Sequence, residues 1–108
     1  MKKQAQIIYI SHGGGPLPLL DDPGHQAMVD FMTALPTKRT RPDAILVISA
    51  HWEESKAALL GAPMPPMLYD YYGFPEKAYQ VTYPAPGSPE LAHQVANRLE
   101  ENGIAAFV

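Results

Sequence analysis

The sequence predicts an α/β fold, a mostly parallel sheet flanked by helices and built on an N-terminal βαβ unit. Three observations predict it. Ile7-Ile8-Tyr9-Ile10 and Ala44-Ile45-Leu46-Val47-Ile48 are continuous apolar runs rich in β-branched residues, the pattern of strands buried on both faces. A stretch of helical periodicity lies between them. Each run is followed closely by a histidine, in Ser11-His12 and in Ser49-Ala50-His51. A strand, a helix and a strand in that order are parallel and right-handed in nearly all known cases. Both histidines therefore fall at carboxyl ends of strands.

The elements follow in order. Gln4 to Ile10 reads as the first strand. Ser11 to Pro18, with three glycines and two prolines, cannot continue it. Asp22-Pro23 has the form of a helix start, with Asp at the N-cap and Pro at the first helical position. Ala27, Met28, Phe31, Met32 and Leu35 then recur at helical spacing, and Pro36 stops the pattern. Ala44 to Ser49 is the second strand. Lys56 to Gly61 reads as a third, with weaker β propensity. Ser88-Pro89-Glu90 opens a second helix whose apolar stripe is Leu91, Val95 and Leu99. Gly103 is its expected C′ residue, and Ile104 to Val108 begins another strand.

Between the third strand and the second helix, residues 62–88 form a proline-rich excursion. Seven of the 12 prolines lie between Pro63 and Pro89, so this stretch is neither regular helix nor central strand. It also carries Tyr69, Tyr71, Tyr72, Phe74, Tyr79 and Tyr83. Disordered segments are poor in aromatics, so the excursion is expected to be ordered and packed on something.

Length and charge narrow the function. A chain of 108 residues is one domain or a piece of one. A net charge of −3 gives no electrostatic footprint for nucleic acid, and Lys38-Arg39-Thr40-Arg41 reads as a solvated loop. No segment approaches the ~20 apolar residues that span a bilayer. The apolar run after Met1-Lys2-Lys3 is too short for a signal-peptide core and has no small-residue cleavage site. A soluble, cytoplasmic protein is expected. The absence of cysteine leaves His, Asp and Glu as the plausible metal ligands.

Ligands of open α/β sheets bind outside the carboxyl ends of the strands, where His12 and His51 fall. On adjacent strands ~4.8 Å apart, two imidazoles could reach one ion, and each could equally be an ordinary loop histidine. The glycines have rival readings. Neither G-x-x-x-x-G-K-[ST] nor G-x-G-x-x-G is present, which argues against a phosphate loop. His12-Gly13-Gly14-Gly15 matches the oxyanion-hole motif of some esterases, but no G-x-S-x-G nucleophile elbow accompanies it. His25 reads as a surface or capping residue and His93 as exposed. Glu53 or Glu54 could complete a two-histidine, one-carboxylate set, a solvated loop being the simpler reading. Trp52 is expected to pack a strand end, and Asp70, among tyrosines, needs a partner.

Three blocks of the sequence resemble the class III (LigB-type) extradiol ring-cleavage dioxygenases, in their DOPA-dioxygenase-like branch. They are Ser11-His12-Gly13-Gly14-Gly15-Pro16, Ala44 to Trp52, and Asp70-Tyr71-Tyr72-Gly73-Phe74-Pro75 through Tyr83-Pro84-Ala85-Pro86-Gly87-Ser88-Pro89. Many members have a shorter His-Gly-Ser-Pro in the first block. The resemblance implies that residues 1–108 are the N-terminal portion of a single α/β catalytic domain, since members are much longer. It implies that His12 and His51 are two ligands of one divalent metal, Fe(II) for activity and with Zn(II) as an alternative. The remaining ligands and the acid–base histidine belong to the part downstream. The substrates would be a small catechol and O2, and Tyr71, Tyr72 and Phe74 would suit the wall of an aromatic site. A fragment of this kind is expected to be inactive alone and to self-associate through uncovered apolar surface. A metal-dependent hydrolase and a non-catalytic fragment are the alternatives.

Overall fold

The computed structural model describes residues 5–108. The Met1-Lys2-Lys3 stretch and Gln4, where the first predicted strand begins, lie outside the described residues. The chain divides into two compact units. One comprises residues up to Thr40 with Tyr69–Gln80; the other comprises Arg41–Leu68 with Val81–Val108. No helix among the described residues is long and apolar enough to cross a membrane.

In the first unit the glycine loop runs into a short 3-10 turn, Leu17–Leu19, closed by Leu19 N–H to Pro16 O (2.8 Å) and Leu20 N–H to Leu17 O (3.0 Å). Asp21 then takes a left-handed conformation at φ 59°. Asp is among the few non-glycine residues that visit this region routinely. The helix predicted from Asp22 starts later. Pro23–His25 is a 3-10 turn, and helix α1 spans Gln26–Ala34, ending in a further 3-10 turn at Leu35–Lys38 around Pro36. The reason is local: the Asp22 carboxylate caps no amide and instead meets the His25 ring. Gly24, a poor helix former, sits in the first turn. Of the predicted apolar stripe, Met28 and Leu35 are half-buried, while Phe31 and Met32 are exposed.

The second unit contains the sheet. Strand β1 (Ala57–Ala58) pairs in parallel with strand β2 (Ala106–Phe107), register Ala57 to Ala106 and Ala58 to Phe107. Ala57 N–H donates to Ala105 O and Leu59 N–H to Phe107 O. Both strands fall inside the segments predicted at Lys56–Gly61 and Ile104–Val108. Helix α2 (Pro89–Glu101) lies between them in sequence, buries Ala92 and Ala96, and packs against β2. Ser88 caps it as predicted, its hydroxyl accepting from Leu91 N–H at 3.2 Å. At the other end Gly103 N–H donates to Glu100 O and Ile104 N–H to Leu99 O, with Gly103 at φ 79°. That pair of bonds is a Schellman motif, and it turns the chain into β2.

The structure differs from expectation at the N-terminal βαβ unit. Neither residues 5–10 nor residues 44–49 form a strand, and the parallel sheet consists of β1 and β2. Ile7 is 99% exposed, Tyr9 97% and Ile48 91%. A strand buried on both faces depends on layers above and below it and on neighbours at both edges. Among the described residues nothing supplies that cover to either run, so an apolar pattern alone does not make a strand of them.

The α2 cap carries a direct test. Replacing Ser88 by Ala is expected to destabilise the protein by about 1 kcal/mol, whereas Asp or Asn there retains most of the stability. Denaturant unfolding of the three variants measures the difference.

Candidate functional site

The glycine loop of the first unit is pinned from two directions. Gly14 N–H donates to His25 Nε2 at 3.0 Å, and His25 Nδ1 lies 2.6 Å from Asp22 Oδ2. On the other side, Gly15 adopts φ 53°, and a Cβ there would fall 3.0 Å from Phe74 Cζ. The loop therefore needs glycine at this position for two reasons, its backbone conformation and its closeness to a ring. Pro16 is buried beside it.

His12 is exposed at the start of this loop and borders an open cleft of about 420 Å³. Ile10, Pro18, Leu19, Met28 and Met32 give the cleft its mainly apolar wall. His51 belongs to the second unit, is also exposed, and donates its backbone N–H to Ser49 Oγ at 3.1 Å. Trp52 is half-exposed, and its indole N–H donates to Glu54 Oε1 at 3.1 Å. Glu53 and His93 are exposed, as the solvated readings expected.

The Tyr69–Gln80 segment is ordered around an aromatic cluster. Tyr71 meets Phe74 edge-on (5.5 Å between centroids, 84°) and lies beside Tyr69 and Tyr79 at 6.1 and 5.4 Å. Edge-to-face contacts of this kind are worth about 0.5–1.5 kcal/mol beyond the area they bury. Tyr71 donates its hydroxyl to Ala78 O, and Ala78 is fully buried. Of the three predicted substrate-wall residues, Tyr71 and Phe74 are thus packed on each other, while Tyr72 is 91% exposed.

The donor chemistry suits a divalent ion, because neutral imidazole binds first-row metals well and no thiolate competes. Among the described residues, however, no group of three or more His, Asp or Glu lies close enough together to hold an ion. The described residues supply imidazole donors but no such complete group.

The family described as the catalytic LigB subunit of aromatic ring-opening dioxygenase matches residues 6–108. The chain belongs to the LigB family. It is 40% identical over 96% of its length to dioxygenase tasH of Hapsidospora irregularis, covering 34% of that protein. It is also similar to 4,5-DOPA dioxygenase extradiol of Beta vulgaris (38% identity, 92% of this chain, 37% of that protein). The Escherichia coli protein of the same description is 36% identical over 85% of this chain and 32% of its own length. The chain thus spans about a third of the length of these curated relatives. No solved structure matches it.

Sequence reasoning missed the Asp22–His25–Gly14 arrangement. The signal was a histidine three residues after an aspartate, across Pro23-Gly24, close behind a run of glycines.

The LigB chain's aromatic cluster makes a prediction about pH. Partial burial pushes the Tyr71 phenol above its ordinary range, and Tyr69, Tyr79 and Asp70 push it the same way. A phenol raised in the folded state contributes stability that is full below the unfolded value of about 10 and is lost as pH rises through the folded value. Titrating tyrosinate absorbance should show a component ionising above the rest, absent in Tyr71→Phe. Co-titration of Tyr71 with exposed tyrosines would contradict the cluster.

Proposed function

We propose that this chain is the N-terminal portion of the catalytic domain of an extradiol dioxygenase, which opens the ring of a small catechol by adding both atoms of O2. The observation that carries the reading is the family match over residues 6–108, which contains His12, His51 and the glycine loop. In the complete domain, residues 5–10 and 44–49 are inner strands of the sheet.

His12 and His51 hold one divalent ion through imidazole nitrogens, and the rest of the protein supplies the remaining ligands. When bound, the ion provides Lewis acidity toward the diol and redox contact with dioxygen. Zinc fits the same donors but has no redox chemistry, so iron is the ion assigned to turnover. The open apolar cleft beside His12 suits the ring of a small aromatic substrate more than a charged one. Tyr72 offers an exposed ring, and Tyr71 and Phe74 hold the segment that carries it.

The test uses the full-length protein loaded anaerobically with ferrous iron. On adding a catechol such as DOPA and admitting oxygen, oxygen uptake should accompany the absorbance of a ring-opened product. His12→Ala and His51→Ala are each expected to abolish uptake and to weaken metal binding by more than the roughly 10–100-fold typical of outer-sphere changes. Ester turnover without oxygen consumption across a catechol panel would point to a hydrolase instead.

A further inference from the structure

We propose that His25 is a positioning residue for the loop that carries His12. Held by Asp22, its neutral imidazole fixes the Gly13-Gly14 backbone. The proposal rests on the reading of His12 as a metal ligand and extends it to a residue outside the ligand set.

The tautomer follows from the geometry. Gly14 N–H can only donate, so His25 Nε2, 3.0 Å away, must carry a lone pair. The ring proton is then on Nδ1 and is donated to Asp22 Oδ2 at 2.6 Å. Although imidazole and carboxylate are within ion-pair distance, the contact is a hydrogen bond from a neutral ring. A protonated ring would set an N–H against the Gly14 N–H and break the second bond. Asp22 therefore selects the tautomer that can accept from the loop, as carboxylate partners do for metal-bound histidines.

The ring also fills the space that the glycines leave open. A Cβ at Gly13 would fall 2.8 Å from His25 Cδ2, 2.8 Å from Pro18 Cγ and 2.9 Å from Met28 Cε. One at Gly14 would lie 3.7 Å from His25 Cε1. His25 thus lies against the first two of the three glycines that follow His12, and any side chain at Gly13 would displace it. The 3-10 turn Pro23–His25 brings side chains three apart into line, which sets the Asp22 carboxylate at the Nδ1 edge of the ring. Side-chain exposure is 21% for His25 and 32% for Asp22, so solvent competes only partly for the bond between them.

The consequence is mechanical. A Gly-Gly-Gly loop is the least constrained backbone a chain can have, and ordering it on metal binding carries an entropy cost. An acceptor fixed at Gly14 N–H orients the Gly13–Gly14 peptide and hence the chain leaving His12, so much of that cost is met before an ion arrives.

The test uses the full-length protein with cobalt(II) alone as the probe, its affinity measured by calorimetric titration. In the wild type, ring 15N shifts of His25 should report the Nδ1–H tautomer; the Nε2–H tautomer overturns the proposal and requires no variant. His25→Leu should lower cobalt affinity about tenfold or more. His25→Gln, whose side-chain carbonyl can reach Gly14 N–H, should restore most of it. Unchanged affinity in H25L, or equal loss in H25L and H25Q, overturns the positioning role. His12→Ala separates the two readings. If H12A binds cobalt as well as wild type, the ligand assignment itself fails; if H12A loses binding and H25L does not, only the role of His25 fails.

Discussion

A parallel pair of strands has no hairpin to join it, so the chain must leave one strand, return along the sheet and be stopped at the residue that lets the second strand begin. In the second unit the return is α2 and the stop is Gly103. The left-handed conformation there lets Gly103 and Ile104 donate back to Glu100 and Leu99, which ends the helix within one turn. Glu100 then reaches forward, its carboxylate accepting from Ala106 N–H at 2.8 Å. A single turn thus ends α2, sets the direction of β2 and supplies a partner to its first residue. Two close approaches fix the other side of this unit. A Cβ at Gly87 would lie 2.1 Å from Ala62 O, and one at Gly61 would lie 2.6 Å from Val108 Cγ1. Gly87 requires glycine, because the backbone of the proline-rich stretch runs directly against Ala62 there, whereas a side chain at Gly61 would have to displace that of Val108.

The first unit is held differently. Its apolar stripe is only partly covered, and much of its order comes from directional contacts. The neutral ring of His25 bridges Asp22 and Gly14, Phe74 lies under Gly15, and Tyr71 ties to Ala78. Each such bond is worth only about 0.5–1.5 kcal/mol net, so their effect is to select one geometry rather than to supply bulk stability. Selection of geometry is what the loop would need if His12 holds a metal ion, as proposed.

The same distinction separates what could be read from residues alone from what could not. The cap at Ser88, the stop at Gly103 and the strands around Ala57 and Ala106 are consequences of near neighbours, and local pattern carries them. The late start of α1 is also local, but it turns on the choice of the Asp22 carboxylate between an amide and an imidazole. The N-cap rule predicts the amide, and the histidine three residues on prevails. The apolar runs at residues 7–10 and 44–48 show the opposite limit. Their composition states a demand for burial on two faces, and no local feature can say what meets it. Of the site, the two histidines and the aromatic excursion were legible as residue types in a pattern. The bond from Gly14 to His25 was not, since it depends on a loop conformation that glycine leaves open.

Exposure of the two histidines and exposure of the two apolar runs have a common origin. His12 follows Ile10 by two residues and His51 follows Ile48 by three, so the surroundings of each imidazole are set by what covers the run before it. Charge development at an active site is stabilised most strongly where water is excluded, because fixed dipoles act over a low local dielectric. An ion held by imidazoles as exposed as these would keep several waters and bind weakly. On the proposed reading, cover over the runs would therefore contribute twice, once by burying apolar side chains and once by drying the histidine that follows them. Metal binding in turn draws its free energy from a site that folding has assembled. Strand burial and metal affinity in this family should consequently be coupled, with loss of either appearing as loss of the other.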